Sequence, residues 1–220
     1  MSSHHIVRDD QEPALIIANG APCSDELLGQ LLEWQPLVIV LDSAIERVLP
    51  LGIKIDVLLG DFDRGFDPEV YREQQYPLDI VYAPNQDKTD LEKAFDYLID
   101  RGIPAANVVW ATGKRADHTI TNLTSIIQYR NRLHITILDD HSKVFMLPRS
   151  YRKWYPEGTN LSLIPIGTVT GITTDNLVWS LQNDSLSIGY RTGSSNRVAQ
   201  DGIVAIDHVE GDLLLMECYD

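Results

Sequence analysis

The sequence predicts an α/β N-terminal domain with a mostly parallel sheet and helices on both faces, followed by a smaller all-β sandwich domain. Three observations carry the prediction. Short β-branched runs alternate with amphipathic stretches up to about residue 140. Beyond that point helical periodicity disappears and short strand-like pieces recur between turn residues. With 44% apolar residues over 220, the chain has enough to bury a sizeable core.

Taken in order, the strand candidates of the first part are Leu15 to Ala18, Leu37 to Leu41, Ile55 to Leu59, Asp79 to Ala83, Val108 to Ala111 and His134 to Leu138. Between the first two, Asp25 to Trp34 puts Leu27, Leu28, Leu31 and Leu32 on one helical face. A second helix starts near Thr89, where Thr89 and Glu92 have the Thr-x-x-Glu spacing of a capping box. It carries Leu91, Ala94, Phe95, Leu98 and Ile99 on one stripe and stops at Gly102. A third is expected from His118 to Tyr129, with Ile120, Leu123, Ile126 and Ile127 facing the sheet. Pro148 to Gly158 reads as a hinge, because Pro148, Pro156 and Gly158 break regular elements, so the domain boundary is set at 147/148. Further strands are expected at Lys143 to Leu147, Asn160 to Pro165, Leu177 to Leu181, Ser185 to Ile188, Gly202 to Asp207 and Asp212 to Glu217.

Composition excludes several function classes. Lys plus Arg number 18 against 32 Asp plus Glu, a net charge of −14, which argues against nucleic acid or an anionic membrane as partner. Two cysteines, Cys23 and Cys218, are too few for a disulfide scaffold or a thiolate zinc site and fit a reducing cytoplasm. Cys23 reads as a small buried hydrophobe. No apolar run approaches the roughly 18 residues of a membrane span, and Met1 to Pro13 contains no signal-like apolar stretch. The pair His4 and His5 reads as a terminus rather than a metal site. There is no Gly-x-x-x-x-Gly-Lys-Ser/Thr loop, no Gly-x-Ser-x-Gly elbow, and no dinucleotide fingerprint after the first strand, where the chain reads Asn19-Gly20-Ala21-Pro22.

In an open α/β sheet, ligands bind outside the carboxyl ends of the strands, and here those ends are followed by carboxylates. Asp42 follows the second strand; Asp61 and Asp63 follow the third. Asp87 and Asp90 follow the fourth, and Asp117 the fifth. Brought to one edge, these groups would repel one another and raise their own pKa values unless a cation neutralised them, and all-oxygen donors suit magnesium together with substrate phosphates. Lys93 and Arg115 can supply positive charge to phosphate oxygens, Arg115 through a bidentate fork. Each piece also has a plain structural reading. Asp-x-Asp is ordinary turn chemistry, Asp90 a favourable first-turn charge, Lys93 its exposed i,i+3 partner, His118 a structural histidine and Trp179 a sandwich-core aromatic. Position favours function, since unrelated surface aspartates would not all follow strands.

Four motifs in order, Gly60-Asp61-Phe62-Asp63, Asp87-Lys88-Thr89-Asp90 with Lys93, Gly113-Lys114-Arg115-Ala116-Asp117-His118 with Asn122, and Gly193-Ser194-Ser195-Asn196, closely resemble the motif set of thiamine pyrophosphokinases. The resemblance spans nearly the whole chain. It implies transfer of the pyrophosphoryl group of ATP to the hydroxyl of thiamine, giving thiamine diphosphate and AMP, by a cytoplasmic homodimer that uses Mg2+. It further implies that residues 1–147 form the nucleotide- and magnesium-binding catalytic domain and 148–220 the thiamine-binding and dimerisation domain. Carried over by motif, the metal set is Asp42, Asp61, Asp63 and Asp90, and the catalytic set Asp61, Asp63, Asp90, Asp117 and Lys93. ATP is met by Asp42, Asp87, Lys93, Arg115, His118 and Asn122, and thiamine by Gln86, Trp179, Ser195 and Asn196. Physically, Trp179 suits stacking on a flat cationic heterocycle, and Ser195 and Asn196 offer hydrogen bonds to a pyrimidine edge. The alternatives are a pyrophosphokinase for another hydroxyalkyl heterocycle such as a pterin, or a non-catalytic thiamine or nucleotide sensor. The chain departs from the family pattern at Ser43, Arg64 and Lys114.

Overall fold

The computed structural model describes residues 12–62 and 66–219. They divide into two compact units, the described part of Met1–Lys114 with Asn131–His134, and Arg115–Arg130 with the described part of Ile135–Asp220.

The first unit is built on five parallel strands, β1 (Ala14–Ile17), β2 (Leu37–Leu41), β3 (Val57–Gly60), β4 (Asp79–Tyr82) and β5 (Ala105–Val109). Their spatial order is β4-β3-β2-β1-β5. The chain therefore runs outward from β1 through β4 and then returns to the other side of β1. The inner strands are apolar and buried along their length, as a sheet covered on both faces requires. α1 (Asp25–Leu32) is capped by Ser24, whose Oγ accepts the Leu27 N–H at 3.3 Å. α2 (Ile45–Val48) follows a short 3-10 turn, Asp42–Ala44.

α3 (Asp90–Asp100) opens with the anticipated capping box. Glu92 N–H donates to Thr89 Oγ1 at 3.3 Å and Thr89 N–H to Glu92 Oε2 at 2.9 Å. It ends before Gly102, whose φ of +69° is the left-handed conformation of a helix stop. β5 is shifted from the expected Val108 to Ala111, because Trp110 takes a φ of +58° and turns the chain out of the strand.

In the second unit, α4 (Ala116–Ser125) continues as a 3-10 turn, Ile126–Tyr129. The expected apolar stripe is corrected here. Ile120 is exposed, whereas Ile126 is buried as expected, together with Ser125 and Tyr129, which the expected stripe did not include. The strands are β6 (His134–Leu138), β7 (Ser142–Met146), β8 (Ser150–Tyr155), β9 (Asn160–Asp175), β10 (Asp184–Ser187), β11 (Gly193–Arg197), β12 (Gly202–Asp207) and β13 (Glu210–Cys218).

Pairing from β7 onward is antiparallel. β9 is shared, its first half pairing with β13 and β11 and its second with β10 and β12. Leu161, Leu163, Val169, Ile172, Val204, Ile206, Leu213 and Leu215 fill the core between them.

Three further expectations are corrected in this unit. β9 runs ten residues beyond Pro165, because Gly167 and Gly171, at φ +74° and +68°, are kinks within an irregular ladder rather than turns. Ser150–Tyr155 is a regular strand on β12, with Pro148 and Pro156 flanking it instead of breaking it. Leu177 to Leu181 is a loop with one isolated bridge, Leu177 to Val198.

Candidate active site

The carboxyl ends of β2 and β3 meet through a steric fit. A Cβ on Gly60 would lie 3.0 Å from Asp42 Cβ and 3.2 Å from Phe62 Cε1, so glycine leaves room for the Asp42 turn to close over β3 without displacing either neighbour. Phe62 is buried, edge-on to Tyr82 at 5.3 Å and stacked with Phe66 at 5.9 Å. The ring anchors the loop that carries Asp61. Asp42, Phe62, Trp110 and Lys114, all in the loops after β2, β3 and β5, have φ of +39°, +53°, +58° and +53°. Such strained non-glycine backbone concentrates at functional sites.

Lys93 is the centre of the arrangement. Its side chain is 6% exposed, and its Nζ donates to Asp90 Oδ1 at 2.9 Å and lies 3.8 Å from Asp61 Oδ2. The structural reading of Lys93 as an exposed partner of Asp90 is thereby replaced, since the ammonium is buried between Asp61, after β3, and Asp90, the first residue of α3. Gln86 Nε2 donates to the same Asp61 oxygen at 3.1 Å. Asp61, Gln86, Asp90 and Lys93 thus form one cluster, with Asp42 against Gly60 beside it. Asp87 is exposed and takes part in a local turn, its N–H donating to Asn85 Oδ1 at 2.8 Å. Asp63 lies outside the described residues.

In the second unit, Arg115 and Asp117 form a two-point ion pair, Nε to Oδ1 at 3.1 Å and Nη2 to Oδ2, and the His118 N–H donates to Asp117 Oδ1 at 3.0 Å. Hydrogen bonding from Arg115, above all, pulls the Asp117 carboxyl down to about 2. His118 is exposed on the first turn of α4, and Asn122 accepts Ser125 Oγ–H at its backbone carbonyl, 3.1 Å away.

Trp179 is 56% exposed and outside the sandwich core. Its backbone is clamped by Asn196, which accepts the Trp179 N–H at 3.1 Å and donates from Nδ2 to the Trp179 carbonyl at 2.8 Å. Asn196 is 4% exposed, and its Oδ1 also accepts the Arg197 N–H. The amide is spent inside the protein. Ser195, at φ +58°, leaves its side chain exposed while its N–H donates to Ser162 Oγ at 2.9 Å.

At the ends of β1 and β5 the structure gathers residues that sequence reasoning passed over. Arg47 Nη1 donates to Asn19 Oδ1 at 2.8 Å and to the Gly20 carbonyl at 2.9 Å, with its guanidinium 4.5 Å from the centre of the Trp110 ring. Lys114 Nζ donates to the Asn19 carbonyl at 3.0 Å. A departure from the Gly-Gly-Arg pattern at Lys114 was the available signal.

Comparison with known proteins gives one answer. Residues 28–137 match the model of the thiamin pyrophosphokinase catalytic domain, and 146–211 that of the thiamin pyrophosphokinase vitamin B1 binding domain. The chain is 31% identical over 196 residues to thiamine pyrophosphokinase 1 of Oryza sativa subsp. japonica, covering 82% of this chain and 72% of the relative. It is 26% identical over 172 residues to thiamine pyrophosphokinase of Bacillus subtilis, covering 74% and 78%. Among solved structures, thiamin pyrophosphokinase from Geobacillus thermodenitrificans superposes with a TM-score of 0.77 at 26% identity, covering 94% of this chain and 97% of that one. The Bacillus subtilis enzyme has the same fold, with a TM-score of 0.77 at 24% identity over 94% and 99%. Two domain models matched in order, over a fold shared along 94% of the chain, leave a single conclusion: the chain belongs to the thiamine pyrophosphokinase family and is an enzyme of that class.

Proposed function

We propose that the chain transfers the pyrophosphoryl group of ATP to the hydroxyl of thiamine, with Mg2+, giving thiamine diphosphate and AMP. The observation that carries this reading is the ordered match of a catalytic and a vitamin B1 binding domain on one chain. The thiamine hydroxyl oxygen attacks the β-phosphorus in line, the bond to the α–β bridging oxygen breaks, and AMP leaves. Catalysis of this kind rests on positioning and charge neutralisation.

The donors available fit a hard cation, being carboxylate oxygens. Among the described residues no three His, Cys, Asp or Glu side chains are grouped so as to hold a metal ion. Magnesium, when bound, would be held by Asp61 with Asp42, Asp63 and Asp90, and supplies charge neutralisation to the polyphosphate. Lys93 holds Asp61 and Asp90 together against their mutual repulsion, and Gln86 orients Asp61. Asp87, His118 and Asn122 are assigned to the nucleotide by motif.

Arg115 and Asp117 work as a pair in this reading. A carboxylate at about 2 is a poor proton acceptor at neutral pH. When Arg115 turns its fork to a phosphate, Asp117 loses the partner that depresses it and becomes a stronger base for the thiamine hydroxyl. Trp179 presents an open ring to the cationic heterocycle, and Ser195 offers its hydroxyl. Asn196 serves as a positioning residue that holds Trp179, because its own hydrogen bonds are internal.

A homodimer is supported by Trp154 and Ile203, directly paired across β8 and β12 and 58% and 60% exposed. No described helix is long and apolar enough to cross a membrane, and a cytoplasmic setting accords with Cys23 and Cys218 lying outside any disulfide.

The deciding experiment measures AMP from ATP and Mg2+ with and without thiamine, and identifies the product by mass. Thiamine-dependent AMP with thiamine diphosphate is expected. Saturable thiamine binding without AMP would instead make the protein a sensor, and AMP formed only with a pterin alcohol would reassign the acceptor.

A further inference from the structure

The pairing of β11 with β9 is interrupted at one place. Gly193 lies opposite Leu163 and Asn196 opposite Leu161, so Ser194 and Ser195 together face the single residue Ser162. Two residues against one make a β-bulge, which takes a backbone group out of the ladder and re-aims side chains. The re-aiming is visible in the burial pattern. Val198 and Asn196 are buried and Arg197 between them is exposed, as strand alternation requires, but Ser195 and Ser194 are then both exposed. The bulge thereby presents two adjacent serines at the surface.

Ser195 has a φ of +58°, in the left-handed region that a non-glycine residue keeps only where its surroundings hold it. Contacts before, after and beneath it do so. On the side of Gly193, β11 closes tightly on β9, since a Cβ there would lie 2.9 Å from Leu163 Cβ. On the other side Asn196 fixes the chain, its Oδ1 accepting the Arg197 N–H at 2.8 Å and the Trp179 N–H at 3.1 Å. Beneath the bulge, Ser162 Oγ accepts the Ser195 N–H at 2.9 Å, across 33 residues of sequence.

Ser162 is suited to that bond. It is buried between Leu161 and Leu163, which belong to the sandwich core, so by alternation it takes the opposite face of β9. Its Oγ lies 3.9 Å from Cys218 Sγ, and the Cys218 thiol donates to the Met216 carbonyl at 3.7 Å. The serine hydrogen thus has the sulfur as its acceptor, while the oxygen serves the Ser195 amide.

We propose that Ser162 is a positioning residue for thiamine. By accepting the N–H that the bulge takes out of the ladder, it fixes Ser195 in its left-handed turn and so sets where the Ser195 hydroxyl meets the substrate. Ser162 touches no substrate itself and acts through Ser195. The inference rests on the reading of Ser195 as a thiamine contact.

The experiment compares Ser162→Ala and Ser195→Gly, singly and together, in the full chain. Glycine accepts the left-handed backbone, so Ser195→Gly removes the hydroxyl and leaves the bulge. Thiamine affinity, read by calorimetry, is expected to fall about tenfold in each single variant, as for loss of one hydrogen bond. In the double variant the fall should again be about tenfold, because residues acting as one unit are not additive. The KM for ATP should stay in place throughout. Amide exchange at Ser195, read by NMR, should quicken in Ser162→Ala while the β9–β13 ladder keeps its protection. Losses that multiply in the double variant, or a loss shared by thiamine and ATP, would mean a merely structural serine and overturn the proposal. So would unchanged thiamine affinity in either single variant, or unchanged Ser195 exchange in Ser162→Ala; with AMP still formed from thiamine, the transferase reading survives those results. Thiamine binding that depends on Ser162 through Ser195, in a protein that forms no AMP, keeps the positioning role and removes the transferase.

Discussion

Lys93 in the parallel-sheet unit and Glu217 in the β-rich unit are both buried ionisable side chains, but their partners are arranged in opposite ways. Lys93 lies between Asp61 and Asp90, whose side chains remain 21% and 33% exposed and keep lone pairs to offer. Glu217, 8% exposed, receives Tyr155 Oη–H at 2.5 Å and Lys153 Nζ at 2.7 Å on one oxygen, and Tyr151 and Tyr155 share a hydrogen bond of 2.7 Å behind it. In the first cluster the acceptors face outward and can exchange partners with a ligand. In the second the acceptor is enclosed by its donors, which makes a structural network.

That contrast predicts different responses to substitution. The largest is expected for Asp61→Asn, which sets an amide donor beside the Lys93 ammonium and removes a metal-type oxygen. Thiamine-dependent AMP formation should drop by roughly 100-fold or more, with the thermal midpoint little changed. Near-normal turnover would remove Asp61 from the site.

Glu217→Ala should act on stability. It strands the buried Tyr155 hydroxyl and unpairs Lys153, at a cost of about 3 kcal/mol in urea unfolding. A loss under about 1 kcal/mol would mean that the network is no more closed than a surface pair.

The same network gives an alkaline signature. Burial above all pushes the Tyr151 hydroxyl up to about 12, its hydrogen bond with Tyr155 opposing the rise and the Glu217 charge adding to it, and burial drives Tyr155 higher still. Both pKa values are raised on folding. Their stabilisation is therefore fully present below the unfolded value near 10 and is lost as pH climbs through about 12. Tyr151→Phe should flatten this limb of the stability curve between about pH 10 and 12, read by fluorescence or circular dichroism; an unchanged limb would exclude the tyrosine pair.

The smallest effect is expected from Thr89→Ala, which removes one side of the α3 capping box at about 1 kcal/mol. Because α3 carries Asp90 and Lys93, a rise in the KM for ATP beyond the stability loss would show that the cap also positions the site.

Much of this was legible in local pattern. The alternation of strands and helices, the Thr89–Glu92 capping box, the Gly102 stop and the placing of Asp42 and Asp61 directly after strands all follow from residues a few positions apart, whose spacing encodes a period or a turn. Ile120, exposed on a regular helix, and β9, longer than expected, show where local pattern misleads, since burial depends on what packs against a face and two kinked glycines leave no mark in a periodicity count.

Tertiary structure alone decided which side chains share a place. The burial of Lys93 depends on β3 and β4 bringing Asp61 to the first turn of α3. The clamp of Asn196 on Trp179 joins residues 17 apart in sequence through a loop that periodicity reads as a strand. Lys114 meets Asn19 across 95 residues only because β5 returns to the free side of β1. Strand order is a non-local property, set by which hydrophobic faces bury together over the whole sheet. A sequence read residue by residue names the chemical groups, but the packing of the sheet decides which of them meet.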